Sequence, residues 1–450
     1  MQPAGTSHRD RIDEVSAEFP DIPREAVYKE DILRLGIWFT PAALEAAGEY
    51  ARKSYFIFSF DRRPLKDLAP LQKSRAPEEF RFSGGAEALQ STVVSVRLNP
   101  DSPWVVDHDP ERAADGSSGC LLRLDGSPLA DRIEFAPLPP YYGGRTADGV
   151  PLIETAPTIE WGYLLYLTVF RMCQYFGREE ECQFCDINRN FKQQREEERV
   201  YNAVKPVERI LEALRLVVES GSSAKAYTIT GGSVTGDLLG LDEVGFYLRY
   251  AEAIEREFPG RWIGKMVVQA LPAADVRRIR EAGISIYHPN YEVWDRRLFE
   301  KICPGKNRHV GRDEWIDRIL AAAEIFPPYS VIPNFVAGIE MARPHGFATE
   351  EEAWASTGEG LDFFMSRGVM PRFTTWCPEP LSVLGEIGGG PASLRYHVGM
   401  LATWRRIHEK HGLPAPRGYG EAGLGRAVFS VSSFMDVIRG AARDLPAAPE

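Results

Sequence analysis

From about residue 158 the chain alternates between apolar runs and amphipathic segments. The apolar runs predict buried strands at residues 163–170, 226–232, 265–270, 284–288, 331–340 and 369–376. The segments between them carry the apolar spacing of helices of about ten to twenty residues. Strands that alternate with helices predict βαβ units and a parallel sheet. Six such units favour a partial or complete TIM-like (β/α) barrel over a small doubly wound sheet.

The first 150 residues follow a different pattern. They are rich in Pro and Gly and contain short strand-like runs at 54–60, 91–98 and 120–124. We therefore expect a mixed α+β accessory region over residues 1–150 and the α/β barrel over residues 151–390. Residues 394–412 have the pattern of a long helix, and we expect residues 391–450 to form a helical and loop-rich extension that closes the barrel.

Composition limits the classes of function. The chain has 450 residues, and 53 Lys and Arg against 64 Asp and Glu give a formal charge of −11. This balance argues against a broad nucleic-acid-binding face, which needs clustered Lys and Arg. The sequence has no apolar run of about 18 residues that predicts a membrane span. The polar amino terminus lacks the apolar core of a secretory signal, so we expect a cytoplasmic protein.

Three of the six cysteines lie close together, as C-x8-C-x2-C directly after the first predicted barrel strand. Six cysteines in 450 residues are too few for a disulfide scaffold. Loops at the carboxyl ends of parallel strands carry active sites in such folds. Cys173, Cys182 and Cys185 fit a structural zinc site poorly, since no histidine lies between His108 and His288. Three thiolates suit a [4Fe–4S] cluster with one iron left free for an exchangeable molecule. Zinc, another metal and incidental cysteines remain as alternatives.

The cysteine loop, Phe184 just before its last cysteine, and the βα units that follow resemble the radical S-adenosylmethionine (SAM) superfamily, in particular its biotin synthase-like barrel group. The resemblance covers roughly residues 158–380. The usual motif is C-x3-C-x2-C, and the five extra residues here fall in the polar segment Gln174 to Glu181, which can loop out without moving the sulfurs.

The resemblance implies one [4Fe–4S] cluster on the three cysteines and bound SAM. Reductive cleavage of SAM would give a 5′-deoxyadenosyl radical that abstracts hydrogen from, or adds to, a small organic substrate. The electron would come from a partner such as flavodoxin or ferredoxin. The reaction class stays open, and the competing hypothesis is a non-catalytic or electron-transfer protein that holds zinc or an Fe–S cluster without SAM chemistry.

Three further segments resemble SAM-binding features of that superfamily. The second strand ends in TITGGS, similar to the GGE-type motif, although a tight strand-to-helix turn is the simpler interpretation. The fifth strand carries a partial GxIxGxxE-like pattern, and the fourth is followed by an acid and a basic run. The residues implied to contact SAM are Phe184, Gly231, Gly232, Ser233, Asn290, Glu292, Lys306, Arg308, Gly338 and Glu340. The simpler alternatives are that Glu292 caps a helix and that the two basic residues are solvated.

Substrate-side candidates lie at the ends of other predicted strands. Gln269 is polar in an apolar context and is a candidate for the barrel mouth; the alternative is pairing with backbone. Cys377 could donate hydrogen to a substrate radical, although an isolated cysteine is more often a small buried hydrophobe. Tyr287 and His288 are further candidates of this kind: each could act on the substrate, or each could be an ordinary buried side chain.

Overall fold

A computed structural model describes residues 7–54, 61–112, 118–177, 179–197 and 202–439 of the chain. Within these ranges the strands are β1 (Trp38–Phe39), β2 (Glu79–Gly84), β3 (Leu89–Ser95), β4 (Trp104–His108), β5 (Cys120–Leu124), β6 (Ser127–Ala130), β7 (Arg132–Phe135), β8 (Thr158–Ile159), β9 (Leu164–Phe170), β10 (Ala226–Gly231), β11 (Ile263–Val268), β12 (Ile286–Pro289), β13 (Asn334–Ala337) and β14 (Arg372–Thr375). Most of the strand predicted at 54–60 lies outside the described residues.

The helices of the same ranges are α1 (His8–Glu18), α2 (Arg24–Leu35), α3 (Pro41–Ala46), α4 (Pro70–Arg75), α5 (Leu152–Thr155), α6 (Ile187–Glu196), α7 (Val207–Glu219), α8 (Glu243–Glu257), α9 (Ala273–Glu281), α10 (Arg296–Ile302), α11 (Pro304–His309), α12 (Arg312–Ile325), α13 (Glu350–Met365), α14 (Val383–Ile387) and α15 (Leu394–Lys410). Two short 3₁₀ turns occupy Leu65–Asp67 and Ile339–Met341. No helix in the described ranges has both the length and the apolar character that a membrane crossing requires.

The second half of the chain forms a mixed α/β barrel that is open on one side. Strands β9 to β12 are parallel neighbours in the order β12-β11-β10-β9, and the short β8 lies antiparallel at the edge. Strands β13 and β14 form a parallel pair. Single parallel bridges, Tyr287 with Val331 and Glu292 with Phe335, connect this pair to the end of β12. The six predicted barrel strands are therefore all present, and the prediction of an α/β fold with parallel strands is confirmed.

Helices cover the outer face of the barrel because their apolar residues fall on one stripe. In α7 the buried residues Ile210, Ala213, Leu214 and Val217 follow the spacing of one helix face. Asp242 begins α8 by accepting a hydrogen bond from the Gly245 amide, which satisfies one of the free N–H groups of the first turn. These helices hold the parallel strands of the barrel, whose carboxyl ends all lie at the same edge of the sheet.

The amino-terminal region is a mixed α+β structure, as expected. It contains one sheet of order β1-β4-β5-β6 and a second of order β3-β2-β7. Its buried apolar residues join those of the barrel in one continuous core. Helix α2 reaches the barrel edge, where Glu30 accepts hydrogen bonds from the Thr375 hydroxyl at 2.5 Å and the Ser433 amide at 2.7 Å.

The segment after α15 runs along the open side of the barrel. The amide of Thr375, at the end of β14, donates to the carbonyl of Val431 at 3.1 Å, and the amide of Ser95 donates to the carbonyl of Ser430 at 3.0 Å. The segment therefore lies between a barrel strand and the amino-terminal sheet. Buried Lys29 of α2 fixes it further, with its ammonium 2.5 Å from the Phe429 carbonyl.

Candidate active site

A cavity of about 280 Å³ occupies the barrel interior and extends past the carboxyl ends of its strands. Side chains from every parallel strand line it, together with loop residues from outside the barrel. The lining includes Glu160, Tyr166, Cys173, Tyr175, Cys182, Phe184, Cys185, Asp186, Thr228, Thr230, Gly231, Gly232, Ser233, Glu243, Lys265, Gln269, His288, Asn290, Glu292, Lys306, Asn334, Arg372, Thr374, Trp376, Glu379, Tyr419, Phe429, Ser430 and Val431. All three cysteines of the motif face this one cavity.

The cysteine loop lies between β9 and α6 and is attached at several points. The Cys173 amide donates to Asn188 Oδ1 at 2.7 Å, and Asn188 Nδ2 donates back to the Cys173 carbonyl at 3.1 Å. The Gln183 amide donates to the Ile302 carbonyl at 2.8 Å. Because these bonds come from α6 and α10, the positions of Cys173 and of the Cys182 segment are set by two separate elements.

The long gap between the first two cysteines extends toward α11. Glu180 is held there by the guanidinium of Arg308 at 2.6 Å and by His309 at 2.7 Å. The amide of Gly305 donates to the Glu180 carbonyl at 2.9 Å. Glu180, one of the polar residues that lengthen the motif, therefore binds a neighbouring helix. Arg308, which the sequence implied to contact SAM, has a side chain that is 66% exposed and does not line the cavity.

The three thiols differ in their surroundings. Burial raises the pKa of Cys173 to about 12 and that of Cys185 well above its usual range. A hydrogen bond from the Cys303 thiol, helped by the Lys306 ammonium, lowers the pKa of Cys182 despite its burial. Within the described ranges, no group of three or more His, Cys, Asp and Glu side chains meets the geometry of a single metal ion. In a [4Fe–4S] cluster each thiolate binds a different iron, so its ligands need not converge on one point.

Two glycines at the end of β10 allow the cysteine loop to approach the strand end. A Cβ on Gly232 would lie 2.0 Å from the Met172 carbonyl oxygen and 2.5 Å from the Cys173 Cβ. A Cβ on Gly231 would lie 2.5 Å from the Phe170 carbonyl oxygen. The sequence predicts that these glycines permit close approach of a ligand. In the structure the neighbour that approaches is the cysteine loop, although Gly231, Gly232 and Ser233 also line the cavity.

Gln269 joins the cysteine loop to the start of α8. Its Oε1 accepts from the Tyr175 hydroxyl at 2.5 Å, and its Nε2 donates to Glu243 Oε2 at 2.5 Å. Burial raises the pKa of the Glu243 carboxyl. Gln269 thus reaches the cavity as the sequence suggested, but both ends of its amide already have partners. Tyr175 and Glu243 were not singled out in the sequence, where nothing marks them as interacting.

Asn290, Glu292 and Lys306 lie together at the carboxyl end of β12. Lys306 donates to Glu292 Oε1 at 2.5 Å and to the Asn290 carbonyl at 2.9 Å. Its ammonium also lies 4.6 Å from the centre of the Trp315 ring. Burial alone lowers the pKa of Lys306, but Glu292 and the thiols of Cys182 and Cys303 outweigh it, so its pKa is raised. The lysine is a fixed positive charge beside the cysteines.

Gly338 and Glu340 do not line the cavity. Glu340 is buried beneath α13, where it accepts from the Thr357 hydroxyl at 3.0 Å and from the Gly338 amide at 3.1 Å. Gly338 has a φ of +113°, a conformation that favours glycine. These contacts close the turn after β13, so the structure gives both residues a role in holding that turn.

Tyr287 and Cys377 also lie outside the cavity lining. The Tyr287 hydroxyl donates to the Gln269 carbonyl at 2.5 Å and accepts from the Leu271 amide at 3.0 Å. Cys377 is completely buried. His288, in contrast, faces the cavity: its Nδ1 donates to the Ile332 carbonyl at 2.7 Å, which leaves Nε2 as an acceptor toward the Tyr419 hydroxyl at 3.3 Å.

The structure adds a group of charged residues that the sequence did not reveal. Lys265 and Arg372 project inward from β11 and β14, and Glu160 faces them from the turn between β8 and β9. The signal in the sequence is a single charged residue in each of two otherwise uncharged strands. Glu160 has no comparable signal, because it lies in a turn.

Two carboxyl groups face each other near the cysteines. Asp186 follows Cys185, and Glu379 comes from the loop after β14. Burial raises the pKa of Glu379 well above its usual range, and the nearby Asp186 raises it further. Burial and mutual repulsion therefore favour a proton on one of the two carboxyls, and such a proton lowers the cost of placing them side by side.

No protein-family model matches this chain, and no curated protein matches it. Solved structures similar to it include HydG, a maturase of the [FeFe]-hydrogenase, at 13% identity and a TM-score of 0.39, over 54% of this chain and 48% of HydG. The match therefore spans about half the length of HydG. Methylornithine synthase (PylB) is similar at 13% identity and a TM-score of 0.38, over 63% of this chain and 83% of PylB. Coproporphyrinogen III oxidase (HemN) from Escherichia coli, described as a radical SAM enzyme, is similar at 12% identity and a TM-score of 0.31, over 42% of this chain and 41% of HemN.

Proposed function

We propose that this protein is a radical SAM enzyme that acts on a small organic substrate inside the barrel. The observation that carries the proposal is that Cys173, Cys182 and Cys185 line one cavity with Gly232 and Lys306. Three thiol ligands leave one iron of a [4Fe–4S] cluster without a protein ligand. When bound together, the cluster and SAM supply a one-electron cleavage of SAM to methionine and a 5′-deoxyadenosyl radical.

The chemistry of the donor set fits such a cluster. The three cysteines face the cavity, whereas Cys303 is completely buried and is absent from the lining. Cys303 instead contacts the Cys182 sulfur, where burial keeps it a neutral thiol by raising its pKa well above the usual range. We assign it as a hydrogen-bond partner of Cys182 and not as a fourth ligand.

The residues beside the cysteines suit a zwitterionic group such as the methionine part of SAM. Lys306 offers a buried positive charge, and Glu292 beside it offers a negative one. Gly231, Gly232 and Ser233 are close by in the same lining. We propose that these groups bind and orient SAM at the strand ends, which leaves the deeper part of the cavity for substrate.

Apolar side chains form part of the cavity wall. Trp376, Phe429 and Val431 line it on the side where the barrel is open. The last two belong to the carboxyl-terminal segment, which α2 holds through Lys29. We propose that this cover protects the substrate radical from solvent. A small reductant such as flavodoxin or ferredoxin would supply the electron.

The proposal is tested by anaerobic purification, iron analysis, and reduction with dithionite in the presence of SAM. We expect about four irons per chain and formation of 5′-deoxyadenosine, detected by mass spectrometry. Cys182→Ala should lose both, whereas Cys120→Ala is the matched control, since Cys120 is buried in the amino-terminal sheet. A colourless protein that contains zinc, or a Cys182→Ala variant with wild-type 5′-deoxyadenosine formation, would contradict the proposal.

A further inference from the structure

The deep end of the cavity contains two cations and one anion, which we call the inner charge cluster: Lys265, Arg372 and Glu160. Lys265 lies opposite Thr228 of β10 and comes four residues before Gln269. At about 3.3 Å per strand residue it lies about 13 Å below the strand end where the cysteines are. The cluster is therefore separate from the residues that we assign to SAM.

Lys265 is unusual among the buried lysines of the described chain. It is 2% exposed, and its Nζ has no hydrogen-bond partner among the described residues. Each of the other buried lysines donates a hydrogen bond to a backbone carbonyl: Lys29, Lys53, Lys205 and Lys306. An unpaired buried ammonium is costly, so a bound group that accepts its hydrogen bonds would explain why it is retained.

Arg372 faces the same space and is held by aromatic rings. Its guanidinium lies 5.4 Å from the centre of the Tyr419 ring and 5.2 Å from that of Phe429. Its buried Nε has no hydrogen-bond partner in the part of the chain that the structure describes. The Lys265 ammonium lies 3.8 Å from the centre of the same Tyr419 ring. Aromatic faces fix both cations without neutralising them.

Glu160 is the anion that faces both cations. Its backbone is fixed by Glu79, which accepts hydrogen bonds from the amides of Glu160 and Trp161 at 2.8 and 2.7 Å. Its buried Oε2 has no hydrogen-bond partner within the described ranges. His288 stays neutral, because burial lowers its pKa well below the usual range. Burial raises the pKa of Glu160, and the nearby Lys265 and Arg372 oppose that rise. In the ionised form that these two cations favour, Glu160 leaves the cluster with one positive charge in excess.

We propose that the inner charge cluster binds a carboxylate group of the substrate. This inference rests on the proposed function, because it places the substrate beneath SAM. The planar guanidinium of Arg372 matches the geometry of a carboxylate. The single excess charge matches one carboxylate, whereas a phosphate monoester carries about −1.5 to −2 at neutral pH and would leave buried negative charge. The buried hydroxyl of Thr228, which no described residue engages, supplies a further donor beside Lys265.

The test measures binding to the full-length protein at pH 7 by ligand-observed NMR. The probes are benzoate, 3-phenylpropionate and hexanoate, each with its primary amide, and phenyl phosphate. We expect at least one carboxylate to bind at least tenfold more tightly than its amide. Lys265→Met and Arg372→Gln should each abolish this preference, and Glu160→Gln should tighten carboxylate binding. Arg296→Gln, which removes a half-exposed cation on α10, is the matched control and should change nothing.

Three results of the carboxylate-binding measurements would overturn the proposal. They are equal binding of every carboxylate and its amide, carboxylate binding that survives in both cation variants, and tighter binding of phenyl phosphate than of any carboxylate. A tenfold loss of SAM affinity in Lys265→Met would assign the cluster to SAM instead and would also overturn it. Iron content and 5′-deoxyadenosine formation, measured in parallel on the wild type, report on the proposed function separately.

Discussion

The Lys306 ammonium lies 2.5 Å from the Glu292 carboxylate, and each of the two side chains is less than one-tenth exposed. The pair connects the short helix α11 to the end of β12. Glu292 has a φ of +77°, a conformation that is costly for a residue with a side chain. The ion pair offsets that cost and places both charges at the cavity wall, next to Cys182.

Removal of one partner of this pair should destabilise the protein strongly. In Lys306→Met the Glu292 carboxylate is left buried without its cation, and we expect a loss of about 3–5 kcal/mol in the free energy of unfolding. The measurement is urea denaturation followed by circular dichroism. The half-exposed pair of Arg296 and Asp313 is the control, and Arg296→Met should cost less than about 1 kcal/mol. Equal effects of the two substitutions would contradict the prediction.

Cys303 and Cys182 should respond differently to substitution, although their thiols are in contact. We expect Cys303→Ala to keep about four irons per chain and Cys182→Ala to keep fewer than about one. Cys303→Ala removes a hydrogen bond to a ligand sulfur, so the reduction potential of the cluster should become more negative. Iron analysis and a redox titration followed by electron paramagnetic resonance check both parts. Loss of iron in Cys303→Ala would make Cys303 a ligand and refute our assignment.

Gly232→Ala should disturb the cysteine loop. The new Cβ would overlap the Met172 carbonyl and the Cys173 Cβ, so the loop must shift. We expect a loss of about 1–3 kcal/mol in the free energy of unfolding, together with reduced iron incorporation. Gly236, in the same loop after β10, is the control, because a Cβ there would have only the Gln174 Oε1 within 4 Å, at 3.9 Å. Gly236→Ala should therefore cost no more than about 0.5 kcal/mol and keep its iron, and similar iron loss in both variants would refute the steric argument.

The sequence predicted the barrel well because most of its strands are buried on both faces and read as apolar runs. The run from Leu164 to Phe170 is a strand almost as predicted. The run from residue 331 becomes a strand only at Asn334, directly after Pro333, which has no amide to donate. The apolar runs in the sequence therefore located the strands, whereas the missing amide of Pro333 explains where the strand at Asn334 begins.

The site was most predictable where its residues follow strands. Cys173, Ser233 and Asn290 each come shortly after a barrel strand, and all three line the cavity. Glu160 and Tyr419 reach the same cavity from a turn and from the carboxyl-terminal segment, where no periodicity marks a buried residue. The contact of Cys303 with Cys182 was equally invisible, since it depends on how α10 packs against the cysteine loop.

Lys265 should make the stability of the protein depend on pH above 8. Burial, helped by Arg372 and opposed by Glu160, lowers its pKa to about 8 from an ordinary value of 10.5. Below pH 8 both the folded and the unfolded chain carry the proton, and the cost of the buried charge is present in full. Between pH 8 and 10.5 only the unfolded chain keeps the proton, so the stability of the wild type rises with pH relative to Lys265→Met, by up to about 3 kcal/mol.

The two proteins should be compared by urea denaturation from pH 7 to 10.5. The other charged or titratable groups of the inner cavity are present in both proteins: Glu160, Tyr166, His288, Arg372 and Tyr419. Lys265 lowers the pKa of Glu160 and of His288, so these two groups also contribute to the difference. At pH 7 we expect Lys265→Met to be the more stable protein, because a methionine buries no charge. A bound carboxylate should raise the pKa of Lys265, so the stability of the wild type should begin to rise only at a higher pH. A difference that is independent of pH would mean that the ammonium is not desolvated, and the case for an anion-binding cluster would lose its main physical reason.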